Sequence, residues 1–138
     1  MSAPEASRVF YGLADVLIPA FDRMPRFSDV SSWEDAQKSL DFRVDLKEAF
    51  ARGLTVDLTG GAEKALETLN ATDVEAFGAV STIALATYYM NPKVRELIGY
   101  PGQENVAYDS KATQSYLTDG SLAKVVARGS KYRATPGL

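Results

Sequence analysis

Apolar residues recur every three or four positions near the start of the chain, at Val9, Phe10, Leu13, Val16 and Leu17. This spacing predicts an amphipathic helix with one face turned toward a core. Ser2-x-x-Glu5 has the form of a capping box, and Pro4 suits a first helical turn. Pro19 ends the pattern, because proline cannot continue a helix.

The pattern changes in residues 20–30, which show no helical period and are predicted to be a loop. Ser31-x-x-Glu34 is a second capping signal and places Trp33 in a first helical turn. The helix either ends near Leu40 or continues with a break through residues 41–54. In the second case its inner face contains Phe42, Leu46, Ala49, Phe50 and Leu54.

The Gly60-Gly61 pair separates this region from another helical pattern, whose inward positions are Ala62, Ala65, Leu66 and Leu69. Thr72-x-x-Glu75 is a third capping box and opens the most apolar segment of the chain. Because that segment is apolar on nearly all sides, we predict a central buried helix over about residues 72–90. In this interpretation Leu85 is a core residue, and truncating it opens a cavity.

Asn91-Pro92 ends the central helix and starts another, with Asn91 as N-cap and Pro92 at the first position. Gly99 suits the left-handed residue after that helix. Residues 103–115 show no clear period, and the apolar positions between residues 117 and 126 predict one last short helix. The sequence therefore predicts an all-α single domain over residues 1–138 with an irregular C-terminal arm.

Charge and composition narrow the possible functions. The chain has 15 basic and 18 acidic residues and a formal net charge of −3. That balance argues against nucleic-acid binding, which calls for a concentrated basic patch. No run approaches the roughly 18 apolar residues of a membrane span. Histidine and cysteine are both absent, which removes the commonest general base and the usual transition-metal ligands. We expect no catalytic residue, cofactor or metal in this chain.

The first ten residues, MSAPEASRVF, contain neither a basic n-region nor an apolar h-region. We therefore expect a cytoplasmic protein. A periplasmic location stays open if a partner carries the export signal, or if a signal of this chain has been removed.

Tyrosine is concentrated in the last third of the chain. A large ring with a polar tip and little side-chain entropy is favoured in protein interfaces. We predict a partner interface that includes Tyr88, Tyr89, Tyr100, Pro101, Tyr108 and Tyr116. For Tyr88 and Tyr89 the alternative, that they anchor the edge of the core, is equally open. The segment from Tyr100 to Tyr116 is predicted to be an irregular arm that lies on the partner.

Two segments together resemble a known family. Residues 10–30, FYGLADVLIPAFDRMPRFSDV, and residues 84–103, ALATYYMNPKVRELIGYPGQ, resemble the two end motifs of the gluconate 2-dehydrogenase subunit 3 family. Residues 116–136, YLTDGSLAKVVARGSKYRATP, are similar to its usual tail. Residues 31–69 match only in helical character.

The resemblance implies a non-catalytic small subunit that binds and stabilises a large flavoprotein of the glucose–methanol–choline type. That partner would carry FAD and oxidise a sugar or another alcohol. Many family members begin with a twin-arginine signal, which this sequence lacks, so a role in export does not follow. A free-standing helical adaptor without an enzyme partner is the alternative function.

Overall fold

The computed structural model of the protein describes residues 2–103 and 115–129. The chain divides into two compact units, Met1–Gly102 and Gln103–Leu138. The first contains α1 (Ala3–Leu17), α2 (Phe27–Val30), α3 (Trp33–Phe42), a 3₁₀ turn (Val44–Leu46), α4 (Lys47–Gly53), α5 (Ala62–Thr72), α6 (Val74–Met90) and α7 (Pro92–Leu97). The second contains α8 (Ser115–Thr118) and α9 (Ala123–Arg128).

Within the two described ranges the secondary structure is helical and no strand occurs, so the all-α class is confirmed. The prediction of a single domain over residues 1–138 stays a prediction, because the two units are described separately. The predicted arm falls largely on residues 104–114, which lie outside the described residues. None of the described helices is both long enough and apolar enough to cross a bilayer.

The central helix is confirmed. α6 packs against α1, α2, α3, α4, α5 and α7. It buries Ala76, Ala79, Val80, Ile83, Ala84, Thr87 and Tyr88. The expectation that it is buried on nearly all sides is wrong, because Val74, Leu85 and Tyr89 are exposed. One stripe of α6 therefore has no cover within the first unit.

A cluster of aromatic rings fills the part of the core beside α1. Phe10 of α1 makes edge-on contacts with Phe27, Trp33 and Phe50 at centroid distances of 5.4, 5.7 and 5.3 Å. Edge-to-face packing brings the positive ring edge onto the negative face, and such pairs add to the energy of burial. This cluster joins α1 to α2, α3 and α4.

Three predicted capping boxes are not formed as predicted. The Ser2 side chain makes no capping hydrogen bond. Ser32 rather than Ser31 caps α3, accepting a hydrogen bond from Asp35 N at 3.1 Å, because Ser31 ends α2 through its N–H bond to the Phe27 carbonyl. For α3 the capping residue is therefore one position further along the chain than predicted.

The cap of α6 shows the same shift. Asp73 accepts a hydrogen bond from Ala76 N at 3.0 Å, whereas Thr72 is the last residue of α5 and donates its hydroxyl to the Thr68 carbonyl. Only one residue separates the two helices, so it must serve as the N-cap. Arg52 holds this residue in place with a salt bridge of 2.9 Å to the Asp73 carboxylate.

The predicted loop over residues 20–30 contains the short helix α2, so that prediction is wrong in part. Asp15 explains the difference. Its carboxylate accepts hydrogen bonds from the backbone N–H and the hydroxyl of Ser28, at 2.8 and 2.7 Å. A residue 13 positions away thus satisfies the start of α2, and no local pattern reveals such a contact.

The connection between α3 and α4 follows the second sequence alternative, a continuation with a break. The 3₁₀ turn at Val44–Leu46 supplies that break. Phe42, predicted to face inward, is instead largely exposed, because the break changes which side of the following helix meets the core. Ala49, Phe50 and Leu54 are buried as predicted.

α4 approaches α6 closely at Gly53. A Cβ atom added there would lie 2.5 Å from Val80 Cγ2 and 3.2 Å from the Ala76 carbonyl oxygen. The missing side chain lets the two helices come together, and a glycine is used where backbones approach closely.

The second unit has two short helices where the sequence predicts one. Asp119 shapes the turn between them by accepting hydrogen bonds from the Ser121 N–H and hydroxyl, at 2.8 and 2.5 Å. Those bonds favour the ionised carboxylate and lower the pKa of Asp119 below its ordinary value. Val125 and Val126 of α9 are exposed.

Candidate functional site

The end of α6, α7 and the turn after it carry four of the six predicted interface residues: Tyr88, Tyr89, Tyr100 and Pro101. Asn91 sets the direction of the chain here. Its side chain accepts a hydrogen bond from Lys93 N at 2.9 Å and its amide donates to the Val30 carbonyl. The predicted N-cap is confirmed, and it also joins the start of α7 to the end of α2.

Tyr88 belongs to the core. It is only 2% exposed, and its hydroxyl donates to the Pro25 carbonyl at 2.6 Å. Burial first, and then the neighbouring Tyr89, raises the pKa of Tyr88. Of the two alternatives for this residue, the structure supports the core role, since the folded chain leaves almost none of the ring for a partner.

Tyr89 points the other way. Its ring meets the Tyr88 ring edge-on, with centroids 5.3 Å apart, and about half of the side chain is exposed. Consecutive residues on a helix point about 100° apart, so one tyrosine can enter the core while the next faces outward. Tyr89 has the surface that an interface residue needs.

The turn Tyr100-Pro101-Gly102 is built around Arg95. Gly99 has a φ of +68°, and the N–H groups of Gly99 and Tyr100 bond to the carbonyls of Glu96 and Arg95 at 3.0 and 2.8 Å. This pair of hydrogen bonds is a Schellman motif, so the predicted role of Gly99 is confirmed. The motif fixes the direction in which Tyr100 leaves α7.

The Arg95 side chain holds the turn from within. Its guanidinium carbon lies 5.4 Å from the centroid of the Tyr100 ring, within cation–π range. Gly102, with a φ of +91°, closes over the same guanidinium, and a Cβ atom there would collide with Arg95 Nη2. Tyr100 remains 53% exposed. Arg95 therefore contacts the Tyr100 ring on one side, while about half of the Tyr100 side chain stays exposed to solvent.

The other two predicted interface residues do not belong to the first unit. Tyr116 is in α8 of the second unit and is exposed. Tyr108 lies outside the described residues. Tyr89, Tyr100 and Pro101 therefore remain as exposed candidates, the first near the end of α6 and the other two in the turn after α7.

Sequence reasoning missed the exposed face of α6, which includes Val74 and Leu85. The apolar pattern of α6 was a signal for this face, because a helix that is apolar on every side can be covered either by its own chain or by another molecule. It also missed Phe21, which is exposed at a tight turn where Asp22 has a φ of +50°.

A pocket of about 180 Å³ opens beside the end of α6, lined by Asp35, Lys38, Ser39, Thr87, Met90, Asn91 and Pro92. Its volume is below the roughly 300–1,000 Å³ of typical ligand and cofactor pockets. Its buried hydroxyls are already paired, since Thr87 donates to Ser39 at 2.9 Å and Ser39 donates to the Asp35 carbonyl. These groups therefore have no need of a ligand.

Some of the charged side chains in the described ranges pair with one another on the surface. The Lys38 ammonium, 2.9 Å from Asp35, lowers the pKa of that carboxyl, and Ser32 adds to the effect. Arg52 lowers the pKa of Asp73 in the same way. No group of three or more acidic side chains able to hold a metal occurs within residues 2–103 or 115–129.

Comparison of the chain with protein-family models, with curated proteins and with solved structures found no match. The resemblance to the gluconate 2-dehydrogenase subunit 3 family therefore rests on the motifs quoted above.

Proposed function

We propose that this protein is the non-catalytic small subunit of an FAD-dependent sugar or alcohol dehydrogenase. Its partner would be a large flavoprotein of the glucose–methanol–choline type, which binds FAD and oxidises the substrate. The small subunit would bind and stabilise that flavoprotein. The resemblance of residues 10–30 and 84–103 to the family motifs supports this assignment.

The observation that carries the proposal is the turn Tyr100-Pro101-Gly102, which lies within the second motif. Arg95 and the Schellman motif hold this turn, so its aromatic ring is ordered before a partner arrives. Ordering a side chain on binding costs roughly 0.5–1.5 kcal/mol, and a pre-ordered ring avoids much of that cost. A tyrosine of this kind suits an interface anchor.

The two motifs also meet in the folded chain. Tyr88 of the second motif donates its hydroxyl to Pro25 of the first, and Asn91 donates its amide to Val30. Both motifs therefore contribute to the part of the fold that positions α7 and the following turn. Segments that position α7 and the turn after it are expected to vary little in length or residue type among proteins that use this turn to bind a partner.

Co-expression tests the proposal directly. The glucose–methanol–choline-type flavoprotein whose gene adjoins that of this chain is produced with it, and one of the two carries an affinity tag. We expect a stable yellow complex that contains both chains. Absence of such a gene, or a flavoprotein that purifies fully active and without this chain, would contradict the proposal and favour the adaptor function.

A pair of variants tests the surface. Tyr100→Ala should weaken the complex about 30-fold, the equivalent of about 2 kcal/mol for an interface anchor. Phe42→Ala is the matched control, because it removes an exposed ring from the end of α3 and should leave the affinity unchanged. Equal affinities of the two variants for the flavoprotein would show that the turn is not part of the interface.

A further inference from the structure

The uncovered face of α6 has an unusual composition for a helix surface. Val74, Leu85 and Tyr89 are 66%, 45% and 51% exposed. On an α-helix they share one stripe with Gly78. The only charged residue between Val74 and Met90 is Glu75, so this stripe is nearly free of charge along about 22 Å of helix, with Ser81 and Thr82 at its centre. Such a face on a free helix indicates an interaction surface.

Gly78 has no packing explanation within the first unit. It lies inside a 17-residue helix, where glycine lowers helix stability. A Cβ atom added there would meet nothing within 4 Å, whereas one added at Gly53 would collide with α6. The absent side chain at Gly78 therefore serves no contact in the first unit, and it leaves a shallow depression in the middle of an apolar face.

The stripe is complementary to a second copy of itself. We propose that α6 pairs with α6 of another copy, antiparallel, about a two-fold axis that passes between Ser81 and Thr82. Gly78 and Leu85 are equally far from that point along the helix, and so are Val74 and Tyr89. Leu85 of each copy then fills the depression at Gly78 of the other, and Tyr89 packs on Val74. Reciprocal pairs of this kind define a two-fold interface.

Charge favours the same arrangement. α6 begins with Asp73 and Glu75, which share a single cation, Arg52. Its other end is followed by Lys93, which is exposed and forms no salt bridge within residues 2–103. An antiparallel pair brings the acidic start of each helix near the basic end of the other. It also opposes the two helix dipoles, with the positive start of each beside the negative end of the other.

The proposed contact is confined to one helix of each copy. A single helix pair buries less than the roughly 1,200 Å² of a stable complex. The dimer should therefore dissociate on dilution, with a Kd on the order of micromolar.

Sedimentation tests the contact in the free chain, without the flavoprotein. Wild type should shift from monomer to dimer with rising concentration, and Leu85→Glu should remain monomeric. Val16→Glu is the matched control, because Val16 is also about 40% exposed but lies on α1; it should dimerise as wild type does. Circular dichroism confirms that both variants fold. A monomeric wild type, or equal effects of the two variants, would overturn the proposal.

Gly78→Ala separates this role from a general effect on folding. In the monomer the substitution should raise Tm by about 3–5 °C, because alanine favours the helix and the site is open. In the dimer the new methyl group occupies the space that Leu85 needs, so Kd should rise at least about tenfold. A more stable chain with unchanged dimerisation would refute the fit at Gly78.

Cross-linking tests the direction of the pair. The chain contains no cysteine, so single cysteines can be introduced without background. A mixture of Val74→Cys and Tyr89→Cys chains should form a disulfide-linked heterodimer on oxidation. Val74→Cys alone should not, because two such residues would be tens of ångströms apart in the antiparallel pair. Efficient linkage of Val74→Cys to itself would indicate a parallel pair, and linkage of neither would remove this register.

Discussion

Gly53 and Gly78 allow the same substitution to be tested in two opposite environments. Gly53 lies where α4 meets α6, and its missing side chain faces Val80, which is fully buried. Gly53→Ala would place a methyl carbon 2.5 Å from Val80 Cγ2 and 3.2 Å from a backbone oxygen. The side chain of Val80 has no free space to enter, and the carbonyl of Ala76 belongs to a rigid helix.

We expect Gly53→Ala to lower the free energy of unfolding by about 1–3 kcal/mol, the usual cost of overpacking a core. The higher helix propensity of alanine offsets at most about 1 kcal/mol of this, and less at the last position of a helix. Gly78→Ala, the matched control in open space, should raise the free energy of unfolding by about 0.5–1 kcal/mol. Urea unfolding at submicromolar concentration measures both values on the monomer.

A double variant identifies the clash itself. Val80→Ala alone should cost about 1.5–3 kcal/mol through lost burial and a cavity. In the double variant the new methyl group enters the space that the valine has left, so the combined cost should fall at least about 1 kcal/mol below the sum. Strict additivity, or a Gly53→Ala variant as stable as Gly78→Ala, would refute the close approach of α4 and α6.

The same structure predicts the effects of other substitutions and of pH. Asn91→Ala should cost about 1–3 kcal/mol in chemical unfolding, because it removes both the cap of α7 and the bond to Val30, whereas Leu85→Ala should cost less than about 1 kcal/mol. Without histidine, Tm should change little between about pH 6 and 8. Because Arg52 lowers the pKa of Asp73, this pair stabilises the fold above about pH 4, and its contribution is lost as pH falls further. Asp73→Asn, which keeps a capping side chain, should flatten part of that acid decline in thermal melts.

The small cost expected for Leu85→Ala differs from the prediction made from the sequence, in which truncating this residue opens a cavity. Apolar character along α6 indicates correctly that the helix is central, and its end at Met90 follows from the proline signal, whereas its start at Val74 is set by Asp73 rather than by the predicted cap Thr72. Periodicity cannot say which apolar side is covered, because that depends on where α1, α3, α4 and α5 pack. Leu85 was therefore assigned to the core although nearly half of its side chain is exposed.

The capping signals show a second limit. A Ser-x-x-Glu or Thr-x-x-Glu pattern identifies the neighbourhood of a helix start, but an adjacent Ser32 or Asp73 can serve equally well. Which one does so depends on where the preceding helix ends. The cap of α2 by Asp15 depends on tertiary structure alone.

The candidate surface was predictable in part. Gly99 and Pro92 indicated that Tyr100 follows a well-defined helix, and the structure confirms this. The cation–π contact with Arg95 and the enclosure of the guanidinium by Gly102 arise from the folded turn. Tyr88 and Tyr89 could not be separated by composition, because their opposite roles depend on the orientation of α6.

We propose that this chain stabilises a flavoprotein that performs the chemistry. The most direct measurement is the thermal inactivation of that flavoprotein's dehydrogenase activity, with and without this chain at saturating concentration. We predict a longer half-life with the chain present, a smaller gain with Tyr100→Ala, and neither bound flavin nor dehydrogenase activity in the chain alone. An unchanged half-life, or FAD bound by this chain in isolation, would contradict the account.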